Sequence, residues 1–491
     1  VNWLTLVLIF LPLGAALLIF AFKSPQSKWI ALSAAVLEMA ISFLALAQFQ
    51  KDETVQFVFS TPWITSLGLS FSVGLDGISL LLVLLSTVLV PFIILSSFGK
   101  DYSNSSVFYG LILTMQSALV GVFAARDGLL FYLFWELALI PIYFICLIWG
   151  GENRGRITLK FFIYTLAGSL FMLIALVYLY LQTPNHTFDI KALYEAGRAL
   201  PIHDQNLIFW ALFVAFAIKM PVFPFHTWQP DTYTVAPAQG TMLLSGIMLK
   251  MGIYGLIRWL VPIVPLAFNE WGFTALVLSV IGVIYGSIIA IVQKDYKRLI
   301  AYSSIAHVGL IAGGLLTWTT IGVQGAMIQM LSHGILAVGL FFIVEIIFDR
   351  TKSRSLDQLG GIRNAAPILS SVFIIVMLGS VALPLTSGFV GEFLLISSLF
   401  QYHNIIGAVA GLTIILGAVY MLVSFQRSMS GETNATTASF TDLTIQEKLV
   451  LFPIVLIILL MGIFPNYILE ISEPAVNNLI QQINQASALI K

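Results

Sequence analysis

AFAIKMPVFPFHTWQPD, residues 215–231, carries Lys219 near the end of an unbroken apolar run, directly ahead of Pro221, Pro224 and His226. Proline removes a backbone donor and breaks a helix, so this run should be a helix that stops beside a lysine. The chain of 491 residues around it is 59% hydrophobic and 9% charged, with a mean hydropathy of +0.97. Soluble domains carry about 25% charged residues. Apolar runs of about 20 residues recur along the chain, without the period-two alternation of a membrane barrel. The fold class is therefore an all-α polytopic membrane protein, because only helices or closed barrels satisfy their backbone in lipid. With 23 basic and 23 acidic residues the net charge is zero, and no basic face for nucleic acid emerges. Cys146 is the single cysteine and sits in an apolar run. That excludes disulfides, zinc sites and cysteine-ligated clusters within the chain. The opening VNWLTLVLIF lacks a basic region and a cleavage site and reads as a first span.

Fourteen spans are expected, near 2–22, 29–49, 75–98, 105–125, 128–148, 157–181, 207–225, 237–260, 272–292, 299–317, 321–348, 367–400, 404–426 and 447–469. The seventh breaks at Pro221 and Pro224. The twelfth, too long for one simple span, breaks at Pro384 and Gly388 in ALPLTSGFVGE. Residues 52–74 alternate as a surface β-hairpin, 186–200 suit a short amphipathic helix, and 471–491 read as an amphipathic surface helix. If the N-terminus is outside, fifteen basic residues fall inside and six outside, with Lys219 and Lys250 left within spans. Positive charge collects inside, so both termini are expected outside. Spans four to eight and nine to thirteen each hold a proline-broken helix near an ionisable residue, a pattern that suits inverted repeats. This divides the chain into 1–104 (three spans and the hairpin), 105–260 (first repeat), 261–426 (second repeat) and 427–491 (last span and tail).

An ionisable residue deep in a span is costly unless it faces protein or water. Glu38, Glu136, Lys219, Lys250, His307, His333, Glu345 and Glu392 all fall there. So mixed a set suggests a proton or ion path. Glu136 and Lys219 should pair, since either charge alone would be neutralised. Lys250, in MLLSGIMLKMGIYG, has small neighbours that leave room for water. His307 and His333 can bridge fixed sites because imidazole titrates near neutrality. Glu392 follows the break in the twelfth span. Glu38 and Glu345 read as structural or subunit-contact residues at a boundary. His226 could relay protons or cap the broken backbone. Asp231, Asp295, Lys297 and Arg298 read as solvated charges at loops and helix ends. Without clustered partners the histidines are not expected to bind metal.

FYLFWELALIPIYF, AFAIKMPVFPFHTWQPD, LLSGIMLKMGIYGLIRW, DYKRLIAYSSIAHVG, LSHG and SGFVGEF together resemble the antiporter-like membrane subunits of proton-pumping NADH:quinone oxidoreductase, respiratory complex I. The resemblance covers nearly the whole chain. It implies fourteen core spans and two inverted five-helix repeats with broken seventh and twelfth helices. It implies a glutamate–lysine pair at Glu136 and Lys219, a central lysine at Lys250, linking histidines at His307 and His333, and a terminal acid at Glu392. The other paralogues and the sodium/proton antiporter relatives carry lysine at that last position, so Glu392 and the short tail resemble the M-type branch, the mitochondrial fourth-subunit type. A relay running Glu136–Lys219, Lys250, His307 and His333, then Glu392 is expected. No Gly-rich nucleotide loop or cluster ligand set occurs. The resemblance therefore places NADH, flavin, iron–sulfur clusters and quinone in partner subunits, with two paralogous antiporter-like subunits and membrane lipids as neighbours. A bacterial plasma membrane is the expected location. A subunit of a multisubunit sodium/proton antiporter is the alternative, and a scaffold of inert ion pairs is a third reading that the number of buried charges opposes.

Overall fold

The computed structural model describes residues 3–488. Lys491, placed outside by the charge count, lies beyond the described residues, as do the final residues of the expected tail helix and the start of the expected first span. The N-terminal part contains α1 (Leu4–Phe22), α2 (Ser27–Gln48), strands β1 (Gln56–Ile64) and β2 (Leu69–Leu75), α3 (Gly77–Ser96) and α4 (Ser105–Ala124). Next come α5 (Gly128–Trp149), α6 (Arg154–Gln182), the short α7 (Ile190–Ala199), α8 (Ile202–Lys219), α9 (Gln229–Val235) and α10 (Ala238–Leu260). The rest is α11 (Pro265–Val292), α12 (Tyr296–Leu315), α13 (Thr320–Thr351), α14 (Pro367–Ser380), α15 (Ser387–Tyr402), α16 (Asn404–Met429), α17 (Ile445–Ile463) and α18 (Asn466–Ala488).

Among the described residues, 12 helices are long and apolar enough to cross a membrane. The helices that end or start at the Pro221–Pro224 and Pro384 turns fall outside that count, because each piece is too short or too polar alone. α10, α12 and α13 are enclosed by other helices, whereas α1, α2, α16 and α17 show wide apolar faces outward. A helix that is apolar all round belongs in the middle of a bundle or against lipid, and both cases occur here. Acidic and hydroxyl side chains start several helices. Asp76 accepts from the Ile78 and Ser79 amides and forms a capping box with Ser79. Asp127 caps α5, Asp189 caps α7, and Thr444 with Glu447 caps α17. Each satisfies amides that have no partner within the helix.

The hairpin is present and antiparallel, pairing Phe59 with Val73 and Thr61 with Phe71. It is held to the helices by Thr5 Oγ1 donating to the Phe57 carbonyl and by the Arg126 amide donating to the Ser72 carbonyl.

Both expected breaks are helix ends. α8 stops at Lys219, and Trp228 Nε1 reaches back to the Ile218 carbonyl at 2.9 Å, folding the Pro221–Pro224 stretch under the helix end. The twelfth expected span is two helices, α14 and α15. Between them Ala382 (φ 59°) and Leu385 (φ 74°) adopt left-handed backbone on either side of Pro384, a strained geometry for residues with a Cβ. Gly388 closes this turn, since a Cβ there would sit 2.0 Å from the Gly379 carbonyl oxygen. The tail helix α18 starts at Asn466, earlier than expected. It buries Ile471, Val476 and Ile483 and packs on α3 and α13.

Candidate functional site: a buried line of ionisable side chains

α10 supplies the centre. Its segment Leu244–Met248 winds as a π-helix, which displaces carbonyls from the usual ladder. The Lys250 ammonium uses that defect, donating to the Ser245 carbonyl at 2.6 Å. It also lies 2.9 Å from His333 Nδ1 on α13. With Nδ1 accepting, the ring proton resides on Nε2, which stands 3.1 Å from Ser304 Oγ on α12. Lys250 therefore meets its partner directly, where sequence reasoning expected water between small neighbours.

The two histidines come in the opposite order from the expected one. His333 contacts Lys250, and His307 follows, with ring centres 5.9 Å apart. The reason is helix placement: α13 packs against the π segment of α10, whereas His307 on α12 looks toward α15. Ser303, Ser304, His307, Gln329 and His333 border a cavity of about 20 Å³, enough for one water. His307 Nδ1 lies 2.9 Å from Glu392 Oε1 on α15, within ion-pair distance although not aligned as a hydrogen bond. Gln329 Nε2 is a weaker neighbour of the same oxygen at 3.5 Å. Glu392 also borders a second cavity of about 330 Å³ lined mostly by apolar side chains such as Phe389 and Ile414. Gly391 is needed beside it, because a Cβ there would stand 2.9 Å from the Gln329 Cα, which cannot swing away as the amide end can.

Glu136 and Lys219 do not pair as expected. Lys219 Nζ and Glu136 Oε1 are both buried without a hydrogen-bond partner, and no ion pair joins them. The ammonium instead stands 5.3 Å from the centre of the Trp135 ring. Lys219 is the last residue of α8, at the helix end whose dipole favours a cation. Glu136 acts on the ammonium through space, with the ring face and the helix end beside it.

Other singled-out residues fall in different places. Glu38 is fully buried on α2 and not at a boundary, because α1, α3 and α4 enclose its face of the helix. Glu345 pairs with Lys100, which also reaches Asp349 at 3.0 Å. His226 is buried in the first break, stacked on Phe223 and edge-on to Tyr285. Lys297 is not solvated: it is buried, and its ammonium donates to the Ala236 carbonyl at 2.6 Å, capping the end of α9. Arg298 and Asp231 pair at 2.9 Å, and Arg354 lies 3.4 Å from Asp295. Arg258, counted by charge among outside residues, is buried in the second π segment of α10, Leu256–Leu260, and pairs with Asp76. Burial works against the Asp76 charge, yet Arg258 and Arg126 outweigh it and hold that carboxyl below its ordinary range. Sequence reasoning passed over Ser304, Gln329 and Trp135. Only the helical adjacency of Ser304 to His307, and of Trp135 to Glu136, signalled them.

A family model described as NADH:quinone oxidoreductase/Mrp antiporter, TM, matches residues 125–417. The NADH-quinone oxidoreductase subunit M of Rickettsia prowazekii is 41% identical over 96% of this chain and 98% of its own length. The NADH-ubiquinone oxidoreductase chain 4 of Marchantia polymorpha is 35% identical over 96% of each chain. A chain in the respiratory complex I structure from Thermus thermophilus with bound NADH superimposes with a TM-score of 0.90 at 29% identity, covering 98% of this chain and 99% of that one. A chain of the Mrp complex from Dietzia sp. DQ12-45-1b superimposes with a TM-score of 0.85 at 20% identity, over 100% of this chain and 99% of that one, a likeness of fold.

Proposed function

We propose, on the footing that this chain belongs to the membrane-subunit family shared by NADH:quinone oxidoreductase and the Mrp antiporter, that it is the M-type subunit of complex I and carries protons across the membrane. The observation that bears most weight is the run Lys250, His333, His307 and Glu392, with links of 2.9 Å at its two ends and room for one water in the middle. Glu136 and Lys219 form the entry side, coupled through space and not by contact. A proton leaving Lys250 can be taken at His333 Nδ1 while the Nε2 proton is released toward Ser304 and the small cavity. His307 can then pass it to Glu392, whose second cavity offers the way out. Each charge moved against 100 mV costs about 2.3 kcal/mol, so the redox chemistry that drives the cycle belongs to partner subunits holding flavin, iron–sulfur clusters and quinone. This chain acts as a translocase part without a redox centre of its own.

In this reading the α8–α9 and α14–α15 pairs each count as one broken crossing, which with the 12 long helices makes fourteen. Residues 105–260 and 261–426 are then inverted repeats, each with its break in the fourth helix. The basic residues on the side of Lys100, Arg154 and Lys294 support both termini outside, and the bacterial relatives support a bacterial inner membrane.

The test is Glu392→Ala in the assembled complex, with NADH-driven acidification measured in proteoliposomes. A reduced ratio of protons to NADH is expected. An unchanged ratio would remove Glu392 from the path. Purification without flavin or cluster signals, together with sodium-dependent exchange, would favour the antiporter assignment instead.

A further inference from the structure

The relay leaves one buried acid unused. Glu38 is fully buried, and both carboxylate oxygens lack a hydrogen-bond partner. It lies about three turns past Ser27, roughly 16 Å along α2 and so near its middle. Gln116 on α4 shares its situation: it too is fully buried, and both its amide atoms are unpartnered.

Three hydrogen bonds fix the levels of these groups. Ser27 meets Ser106 at 2.7 Å, which aligns α2 with α4. Ser42 meets Thr87 at 2.7 Å, so one turn back Glu38 comes level with Pro91 of α3. Ser97 meets Tyr109 at 2.8 Å, so two turns on Gln116 comes level with Val90 and Pro91. Pro91 lies inside α3 and has no N–H, which leaves the Thr87 carbonyl without its usual helical donor. An acid, an amide and a freed carbonyl thus stand at one depth on three helices packed together.

No fixed charge is close enough to hold Glu38 ionised. α1, α3 and α4, the helices packed against α2, contain no lysine, arginine, histidine, aspartate or glutamate. Tyr109 is their one titratable group, about two turns from Gln116. Lys28 on α2 itself lies about 15 Å away along the helix, over the Phe98 ring. Native structures rarely leave such atoms unpaired without an ordered water.

We propose that Glu38, Gln116 and the Thr87 carbonyl form a second proton-binding site at mid-membrane, in which Glu38 is a neutral carboxylic acid sharing at least one internal water with the other two. The site is separate from the Lys250 line and stands whether or not that line moves protons. Infrared spectra of the assembled complex test it. Subtracting Glu38→Gln, which keeps the shape of the side chain, from the unmodified complex should leave one carbonyl stretch of a protonated acid, and D2O should shift that band. Gln116→Leu should move the same band to higher frequency, since it removes one hydrogen-bonding neighbour. Glu136→Gln and Glu392→Gln should leave it in place. Loss of a carboxylate signal instead would show an ionised Glu38 and overturn the proposal. So would an acid band that D2O does not move, or one that Gln116→Leu leaves unchanged.

Discussion

Replacing Lys219 and Lys250 separately by methionine should separate stability from transport. Both substitutions remove a lysine from a helix in the membrane, a burial worth about 2.5–3.5 kcal/mol on insertion scales, so that term cancels between them. They differ in what is left behind. Lys219 makes no hydrogen bond. Its loss forfeits the attraction of Trp135, about 0.5–2 kcal/mol, and of the α8 end, about 0.3–2 kcal/mol. Lys250→Met orphans the Ser245 carbonyl and His333 Nδ1, at about 1–3 kcal/mol each. Relief of the insertion cost offsets the lost attractions, so Lys219→Met should match the unmodified protein to within about 1 kcal/mol, while Lys250→Met should fall roughly 2 kcal/mol below Lys219→Met. Thermal release of this subunit from the purified complex reads the first quantity, and acidification of proteoliposomes per NADH oxidised reads the second. Both variants should pump poorly despite their different stability. A Lys219→Met complex that assembles and pumps at the unmodified ratio refutes the entry role of Lys219. Equal melting of the two variants refutes the hydrogen-bond reasoning at Lys250.

Gly388→Ala pushes a methyl to 2.0 Å from the Gly379 carbonyl. The shift of about 1 Å this forces should cost about 1–3 kcal/mol and slow turnover by up to about 10²-fold through Glu392 one turn later, as measured by steady-state NADH oxidation. His333→Leu removes the link between Lys250 and the small cavity, and one water cannot span both the 2.9 Å contact and the 5.9 Å ring separation. Proton transfer should fall about 10²–10⁴-fold, as expected for losing a placed acid–base group, in single-turnover proton release. Glu392→Lys keeps an ionisable group beside His307 and should retain part of the pumping that Glu392→Ala loses. Asp76→Asn leaves Arg258 buried without its counter-charge, and should lower the stability of the hairpin face by about 3–5 kcal/mol, seen as a reduced melting temperature with unchanged flavin content.

Much of the fold is legible from composition and proline alone. Long apolar runs can only be helices in lipid, and Pro221, Pro224 and Pro384 mark the breaks because proline acts locally. Local chemistry equally exposes Lys219, Lys250, His307, His333 and Glu392 as charges out of place. What sequence could not yield is pairing. Glu136 and Trp135 are neighbours on α5, and no residue type records which of them the Lys219 side chain from α8 stands against. The histidine order was lost for a similar reason, since chain order says nothing about which of two neighbouring helices faces the π segment. That segment is itself invisible in MLLSGIMLK, where nothing but tertiary packing selects a wider turn. Lys297 was misread as solvated, and Arg258 was counted among the outside residues, because both stand near helix ends, where burial is decided by the neighbouring loop.

The tail helix α18 has a consequence for biosynthesis. It is the last described helix to leave the ribosome, yet it grips parts made early. Lys51 reaches Glu470 at 2.8 Å, Gly77 lies so close that a Cβ would be 2.0 Å from the Ile471 carbonyl, and Ser472 donates to Gln324 Oε1 at 2.9 Å. Until α18 is made, the start of α3 and the start of α13 lack these contacts. The helix works as a late latch: a chain stalled before Asn466 has every long apolar helix made, and Lys250–His333 and Lys100–Glu345 can already join its halves, but it lacks the clasp between the starts of α3 and α13.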